Sequence, residues 1–507
     1  MKIKFDVTPT EFIIIKDILK KYLTKDCKAY VFGSRAKSSS LHGSDLDLAL
    51  ECKEEIEFKK LSKIKIDFED SRLPYMVDVV DLQAVKGYFK EMIEKEIIEF
   101  PLGKLERVPE LRFKEFSGEW EEQLFNNIFL FKTGKNIKQN EASPEFEIPC
   151  VRYGELYHMY NEVIYKVINK TNLNENELLF SDGDEILLPS AGEDPLDIGS
   201  ASALTLKNIA IGRTINILKP KQANIYFNIF VSYYINQQLK RKISRLAKGS
   251  SISNVYNSDL KKLKINLPQK QEQQKIASFL TTVDKKIEQL TKKIELQEQY
   301  KKSVMGKIFK QEIRFKNDDG SEFEEWEEKK LGDIGKIITG KTPKTSNTDL
   351  WNGDILFITP TDIKDNKYQI NTIRTVMETE KLQILPLGSI VYTCIASIGK
   401  MAITKKPSIT NQQINSIIVN NLYIDEFIYY ILLNLTPYIK STKANNTLPI
   451  INKTEFSKFK IIIPPSQNEQ TKIANFLSSL DKKIDSTKEQ LEKTKEFKKG
   501  LLQRIFV

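Results

Sequence analysis

The stretches PQKQEQQKIASFLTTVDKKI (268–287) and PSQNEQTKIANFLSSLDKKI (465–484) decide how this chain is built. They open two segments, 268–309 and 465–506, in which 17 of 42 positions are identical without gaps and both close on Ile-Phe. Average residue usage would give about two or three identities. A repeat this long implies two copies of one module, each ending in a long helix. After Gln271 the apolar residues fall on two heptad series: Ile276, Val283, Leu290 and Val304, then Leu280, Ile287, Ile294 and Ile308. The second copy supplies Ile473, Leu480 and Leu501, then Leu477, Ile484, Leu491 and Ile505. Offsets of three and four put these on one stripe. Pro268 and Pro464-Pro465 punctuate the helix starts. Each helix would run roughly 55–60 Å, and alone it would be marginal in water. The two stripes are therefore expected to pair with each other, a generic dimerisation coiled coil being the blander alternative. Polar breaks at Gln297, Thr487 and Thr494 are expected to fix register or to contact another protein.

At 507 residues the chain should hold about three or four domains. It is 40% hydrophobic and 29% charged, with mean hydropathy −0.38. No apolar run approaches the ~20 residues of a membrane span, and MKIKFDVTPTEF is no signal peptide. A cytoplasmic protein with no membrane partner is expected. The four cysteines (Cys27, Cys52, Cys150, Cys394) match no metal spacing, so reduced thiols are the simplest reading. A formal charge of +10 and pI ≈ 9.0 favour an anionic partner. The two histidines, His42 and His158, are too few for hydrolysis built on a His network.

The stretches upstream of the helices match at their edges. Arg112-Phe113-Lys114 and Trp120-Glu121-Glu122 open the first, Arg314-Phe315-Lys316 and Trp326-Glu327-Glu328 the second. Thr133-Gly134-Lys135 aligns with Thr339-Gly340-Lys341, and Leu263–Pro268 with Phe459–Pro464. The interiors look unrelated, and their short β-branched runs between Gly, Pro and Asn turns suggest mixed α/β globules. Gly335–Thr342 satisfies the phosphate-loop formula Gly-x4-Gly-Lys-Thr. We refuse it, because Ile337-Ile338 reads as strand and Pro343 with the polar residues after it as coil, where that loop needs a helix.

VPELRFKEFSGEWEE (108–122), Gly-Lys-Thr-Pro (340–343), Leu-Pro-Leu-Gly-Ser-Ile (385–390) and the two helix starts resemble the specificity subunit of type I restriction–modification enzymes. The resemblance covers about 105–507. It implies two target-recognition domains that each read half of a bipartite site in double-stranded DNA. The two helices would pair antiparallel, set the half-site spacing, and dock methyltransferase and restriction subunits. S-adenosylmethionine and ATP would then act only through those subunits. A reading module needs donors and acceptors at base edges and cations near phosphates, but no nucleophile. Candidate DNA contacts are Lys135, Arg152, Arg213, Lys341, Lys344 and Lys400, each weighed against being an ordinary surface charge.

Residues 1–100 lie outside the repeat. They read as helix 9–23, strand 28–32, strand 45–50, helix 54–70, strand 76–81 and helix 86–99. Asp45 and Asp47 share one face of a strand, and Asp78 lies on a possible neighbour; Asp81 would face away. Three converging carboxylates bind divalent metals that clamp a triphosphate, and Gly33-Ser34-Arg35 at a turn can offer donors to phosphate oxygens. Gly-Ser, ten residues, Asp-x-Asp and a later strand Asp resemble the minimal nucleotidyltransferase family. That implies Mg2+ on Asp45, Asp47 and Asp78 as catalytic acids, a nucleoside triphosphate bound at Gly33, Ser34 and Arg35, and a protein or small molecule as acceptor. A catalytically dead scaffold is the alternative for this domain.

The expected architecture is thus multidomain α/β: a small nucleotidyltransferase-like domain (1–103), two target-recognition domains (104–267 and 313–463), and two long helices (268–312 and 464–507) paired as an antiparallel coiled coil. The leading functional expectation is a DNA-specificity subunit with an appended nucleotidyltransferase. The rival is a nucleotidyltransferase whose repeats bind its protein acceptor, and a weaker third is an orphan coiled-coil protein.

Overall fold

The structure is a computed structural model that describes residues 5–24, 26–37, 44–102, 108–222, 225–249, 252–364, 366–380, 382–443 and 449–507. The chain forms two compact units, Met1–Leu280 with Lys499–Val507, and Thr281–Lys498. No helix among the described residues is long and apolar enough to cross a membrane.

In the first unit, residues 5–102 build a four-stranded sheet. Helix α1 (Pro9–Tyr22) begins with a capping box, Thr8 and Glu11 each accepting the other's backbone N–H. Strand β1 (Lys28–Phe32), the single-turn α2 (Gly33–Ala36), β2 (Leu46–Glu51), α3 (Phe58–Glu69), β3 (Val77–Asp81), α4 (Tyr88–Glu96) and β4 (Ile98–Phe100) follow. The sheet order is β3-β2-β1-β4, with β2–β3 parallel and the other pairs antiparallel. Ile15, Leu19, Ile64 and Phe68 of α1 and α3 fill one face, and Ile93 of α4 packs with Ala49 and Leu82. The helix expected over 86–99 stops at Glu96. Residues 98–100 pair with β1 instead, because Phe100 completes an aromatic stack with Phe5 and Phe12.

The reduced-thiol expectation fails for one pair. Cys27 and Cys52 are joined by a disulfide, at the end of the β1–β2 ladder away from the Phe32–Asp47 pairing. Cys150 and Cys394 are free and buried, and burial pushes their thiols up to about 12 and about 11.

The two modules share a topology that their interior sequences conceal. The first has a five-stranded sheet in the order Phe129–Thr133, Ile215–Pro220, Glu185–Pro189, Ser202–Leu204, Val163–Ile164. The second repeats it as Gly335–Thr339, Ile414–Val419, Ile390–Thr393, Met401–Thr404, Tyr368–Gln369. In both, three antiparallel pairings are followed by one parallel pairing. Each adds a further sheet containing one parallel pair: Ile148–Val151 with Lys207–Ile211 at the centre of four strands, and Trp351–Ile358 with the edge strand Ser408–Thr410 in a sheet of three. Interiors unrelated in sequence thus share one sheet order, as two copies of one module should. A strand buried along its whole length, such as Ile390–Thr393, asks mainly for bulk that fills the space, which many residues supply.

The long helices run over Lys270–Phe309 and Gln467–Ile505. Each start is held by its module's frame. Arg112 donates to the buried carboxylate of Glu272 at 2.8 and 2.7 Å, and Trp120 Nε1 donates at 3.3 Å. In the second copy Arg314 reaches Glu469 at 3.4 Å and Trp326 Nε1 at 3.1 Å. The next residue, Gln273 or Gln470, accepts from the amide of Phe227 or Ile424 and donates to the carbonyl of Pro268 or Pro464. Within the second unit, Lys301 pairs with Asp481, Lys488 with Glu298, and Lys498 with Asp284. Numbers fall on one helix as they rise on the other, so the helices run antiparallel there. The last turn of the first helix (Val304, Met305, Ile308) joins the second module's core. In the first unit, Phe506 packs on Trp120 and Phe230.

Candidate functional sites

At the first site, β2 and β3 are neighbours in register, so Asp47 and Asp78 sit directly opposite each other. Asp45 precedes β2 and is exposed, as is Asp78. Asp47 is half-buried. Burial first, then the charges of Asp78 and Asp45, raise its carboxyl above the ordinary range. Burial is the larger cause; the like-charge part is the one a cation would relieve. Asp78 meanwhile accepts from Lys65 Nζ at 3.1 Å and from the Val79 amide at 2.9 Å. Gly33 opens α2 at φ 72°, and a Cβ there would lie 2.3 Å from Asp47 Oδ2. Only glycine lets the turn carrying Ser34 come so close to the acids.

One further acid and one arginine have other occupations. Asp81 is buried, accepting from the amides of Ile56 (2.6 Å) and Gln83 (3.0 Å). Arg35 is buried too: its guanidinium donates to the carbonyls of Ser44 (2.9 and 2.7 Å) and Asp6 (2.7 Å) and stacks on Tyr75. It braces the backbone one residue before Asp45 instead of pointing into the turn. Among the described residues, the acids whose oxygens cluster within 4.8 Å are Asp182, Asp184 and Glu185 of the first module. There Glu185 accepts the amides of Asp182, Gly183 and Asp184 and, with Asp182, pairs with Lys219. That cluster closes a loop. Asp45, Asp47 and Asp78 do not meet within that 4.8 Å, Asp78 being turned to Lys65; by donor chemistry alone, three oxygen acids beside a glycine turn suit a hard divalent cation.

The second site is an edge of each module. In the first, strands ending at Thr133, Val151 and Ile211 and the strand starting at Ile215 bring three loops together. The Lys135 amide donates to Ile211 O, the Arg213 amide to Asn136 O, and the Gly212 amide to Val151 O beside Arg152. Lys135, Arg152 and Arg213 are thus neighbours. Arg152 is tied to buried Glu155 at 2.9 Å, and Lys135 Nζ donates to Asn176 O at 3.1 Å. In the second module Lys341 and Lys344 follow the strand ending at Thr339, and Lys400 precedes the strand starting at Met401, at the same edge. All three are exposed. The refused phosphate loop is a strand over Gly335–Thr339 followed by coil.

The glycines of the two Thr-Gly-Lys triplets serve backbone crossing. A Cβ on Gly134 would lie 1.9 Å from Gly212 O, and one on Gly340 2.3 Å from Asn411 O. Reading the sequence missed Gln412, which occupies in the second module the place of Arg213 in the first. The signal was present: each stands two residues before an Ile-Asn pair, Ile215-Asn216 and Ile414-Asn415.

Comparison with known proteins places the domains that carry these residues in two families. The family model described as type I restriction modification DNA specificity domain matches residues 117–298 and 323–496. That described as polymerase beta, nucleotidyltransferase matches residues 14–99. The type I restriction enzyme MjaIX specificity subunit of Methanocaldococcus jannaschii is 33% identical over 208 residues, 39% of this chain and 48% of that protein. The chain thus spans about half the length of that relative. A probable protein adenylyltransferase, MntA of Haemophilus influenzae, is 36% identical over 92 residues, covering 18% of this chain and 80% of that protein. The crystal structure of a type I restriction–modification S subunit from M. genitalium aligns with TM-score 0.52 at 20% identity, over 79% of this chain and 99% of that one, and so shares the fold. The chain belongs to the type I restriction–modification DNA specificity family and carries, at residues 14–99, a domain of the nucleotidyltransferase family.

Proposed function

We propose that the two modules bind duplex DNA, each reading half of a bipartite site, as the specificity component of a type I restriction–modification complex. The observation that carries this is one edge of each module, where three strand-end loops bring Lys135, Arg152 and Arg213 together in the first and two loops carry Lys341, Lys344 and Lys400 in the second. Cations there position a phosphate backbone, and loop side chains reach base edges. The paired helices set the distance between half-sites and dock methyltransferase and restriction subunits, which bring S-adenosylmethionine and ATP chemistry with them. The test is selection from random duplexes by the chain assembled with its methyltransferase subunit. A split consensus is expected, and a selection without half-site structure would overturn the reading.

The N-terminal domain is proposed to transfer a nucleotide, AMP from ATP by likeness to the adenylyltransferase, to a hydroxyl of a protein acceptor: the acceptor oxygen bonds the α-phosphorus, the bond to the β-phosphate breaks, and pyrophosphate leaves as the hydroxyl gives up its proton. Mg2+ held by Asp45, Asp47 and Asp78 would neutralise the triphosphate and sharpen the incoming hydroxyl as a nucleophile. Gly33 admits the phosphates close to Asp47, Ser34 donates to them, and Arg35 holds the backbone before Asp45 in place. Labelled ATP with Mg2+ should label protein, and Asp45→Ala or Asp47→Ala should reduce the label at least a hundredfold, as loss of a metal acid does. Equal labelling by these variants would refute the assignment.

A further inference from the structure

Arg213 and Gln412 stand at one structural position in two frames. Each lies two residues before its module's second sheet strand. Each loop is pinned by the same three devices. A glycine crosses close beneath it, Gly134 against Gly212 O and Gly340 against Asn411 O. A loop amide docks on the neighbouring strand end, Gly212 N to Val151 O at 2.9 Å and Asn411 N to Ile358 O at 3.2 Å. A buried amide follows, Asn216 donating to Val255 O at 2.9 Å and Asn415 to Ile451 O at 3.2 Å. The frames agree and the exposed tips differ. Among the described residues, the Arg213 side chain has no hydrogen-bond or ion-pair partner, unlike Lys135 and Arg152 beside it. Gln412 Oε1 accepts from Thr342 Oγ1 at 2.8 Å, which leaves its amide nitrogen and a second lone pair for a ligand.

Resting on the DNA-reading function above, we propose that these two residues are matched specificity determinants: Arg213 reads a guanine in one half-site and Gln412 an adenine in the other. A guanidinium fork fits guanine O6 and N7, and a carboxamide fits adenine N6 and N7. A loop already rigid loses little entropy on binding, so discrimination falls to the tip.

The experiment is random-duplex selection with the full chain assembled with its methyltransferase subunit, as wild type, Arg213→Gln, Gln412→Arg and Arg213→Lys. Arg213→Gln should move one base preference from guanine toward adenine in one half-site, with roughly ten- to hundredfold weaker binding to the original site. The other half-site should be unchanged, which also shows that the variant is folded. Gln412→Arg should do the converse in the opposite half. Arg213→Lys should keep general affinity but lose discrimination at that base. Uniform weakening on all duplexes with the consensus unchanged would make Arg213 a phosphate contact and overturn the proposal while sparing the DNA-reading function. A wild-type complex without a split consensus would overturn both.

Discussion

The two helix-start clamps are built from the same residues and grip differently. Arg112 holds Glu272 through two short hydrogen bonds, whereas Arg314 touches Glu469 once at 3.4 Å and gives the same nitrogen to Glu324 O at 2.7 Å. Trp326 compensates, sitting nearer its glutamate than Trp120 does. Glu272 and Glu469 are 1% and 0% exposed, so both charges depend on these donors. A repeated motif has kept the arrangement while shifting the work from arginine to tryptophan.

Substitution sharpens that contrast. Arg112→Ala removes two of the three side-chain hydrogen bonds to a buried carboxylate, leaving Trp120 at 3.3 Å, and should cost about 3–5 kcal/mol in the first module. Arg314→Ala should cost less, about 1–3 kcal/mol, because it removes a single contact at 3.4 Å. Urea unfolding followed at Trp120 and Trp326 would report each, and equal losses would break the comparison. Next come Gly134→Ala and Gly340→Ala, which force the loop crossing apart in either module. About 1–3 kcal/mol is expected from such overpacking, with weaker DNA binding measured beside it.

A smaller effect separates the modules by pH. Burial would raise the Glu426 carboxyl, but hydrogen bonds from Tyr368 and Ser478 and the charge of Lys367 outweigh it and hold the group below its ordinary value. A depressed carboxyl stabilises above the unfolded pKa and loses that contribution as pH falls through the folded one. Ile229 stands at the matching place in the first module, two residues after the amide capped by Gln273. Acidification below the usual glutamate range should therefore weaken the second module by a contribution the first lacks, and Glu426→Gln should flatten the difference in a pH series of melting curves. The smallest effect is Gly306→Ala or Gly500→Ala. A Cβ at either meets nothing within 4 Å, so each should add about 0.5–1 kcal/mol to helix stability in denaturant titrations.

Much of this was legible in the residues. The heptad stripe is buried where the spacing puts it, at Ile276, Leu280, Leu290, Ile473, Leu477 and Ile484 among others. The Arg, Trp and Glu-Gln matches were visible as a frame, although their joining into one clamp was not, since partners some 150–160 residues apart leave no local period. The shared topology of the interiors was hidden because strand order is carried by apolar bulk and turns, which tolerate almost complete replacement. Asp45, Asp47 and Asp78 were found by alternation, which is a strong local rule. Arg35 misled for the opposite reason: a cation beside a phosphate-type turn looks available until its carbonyl partners, at Asp6 and Ser44, are seen. The Cys27–Cys52 bridge is a matter of strand register, which composition does not encode.

The closure of the first module by Phe506 sets an order of events during synthesis. Tyr234 donates to the carbonyl of Val507, and Gln238 to that of Phe506, across 273 and 268 positions. Trp120 and Phe230 leave the ribosome long before the ring that covers them. At about 5–20 residues per second, that wait lasts on the order of 15–50 s. During it the nascent chain carries an open apolar socket that a chaperone can occupy. A message truncated before codon 501 would yield a protein whose second module can complete its core from Val304–Ile308 while the first stays unsealed, a marked target for proteolysis.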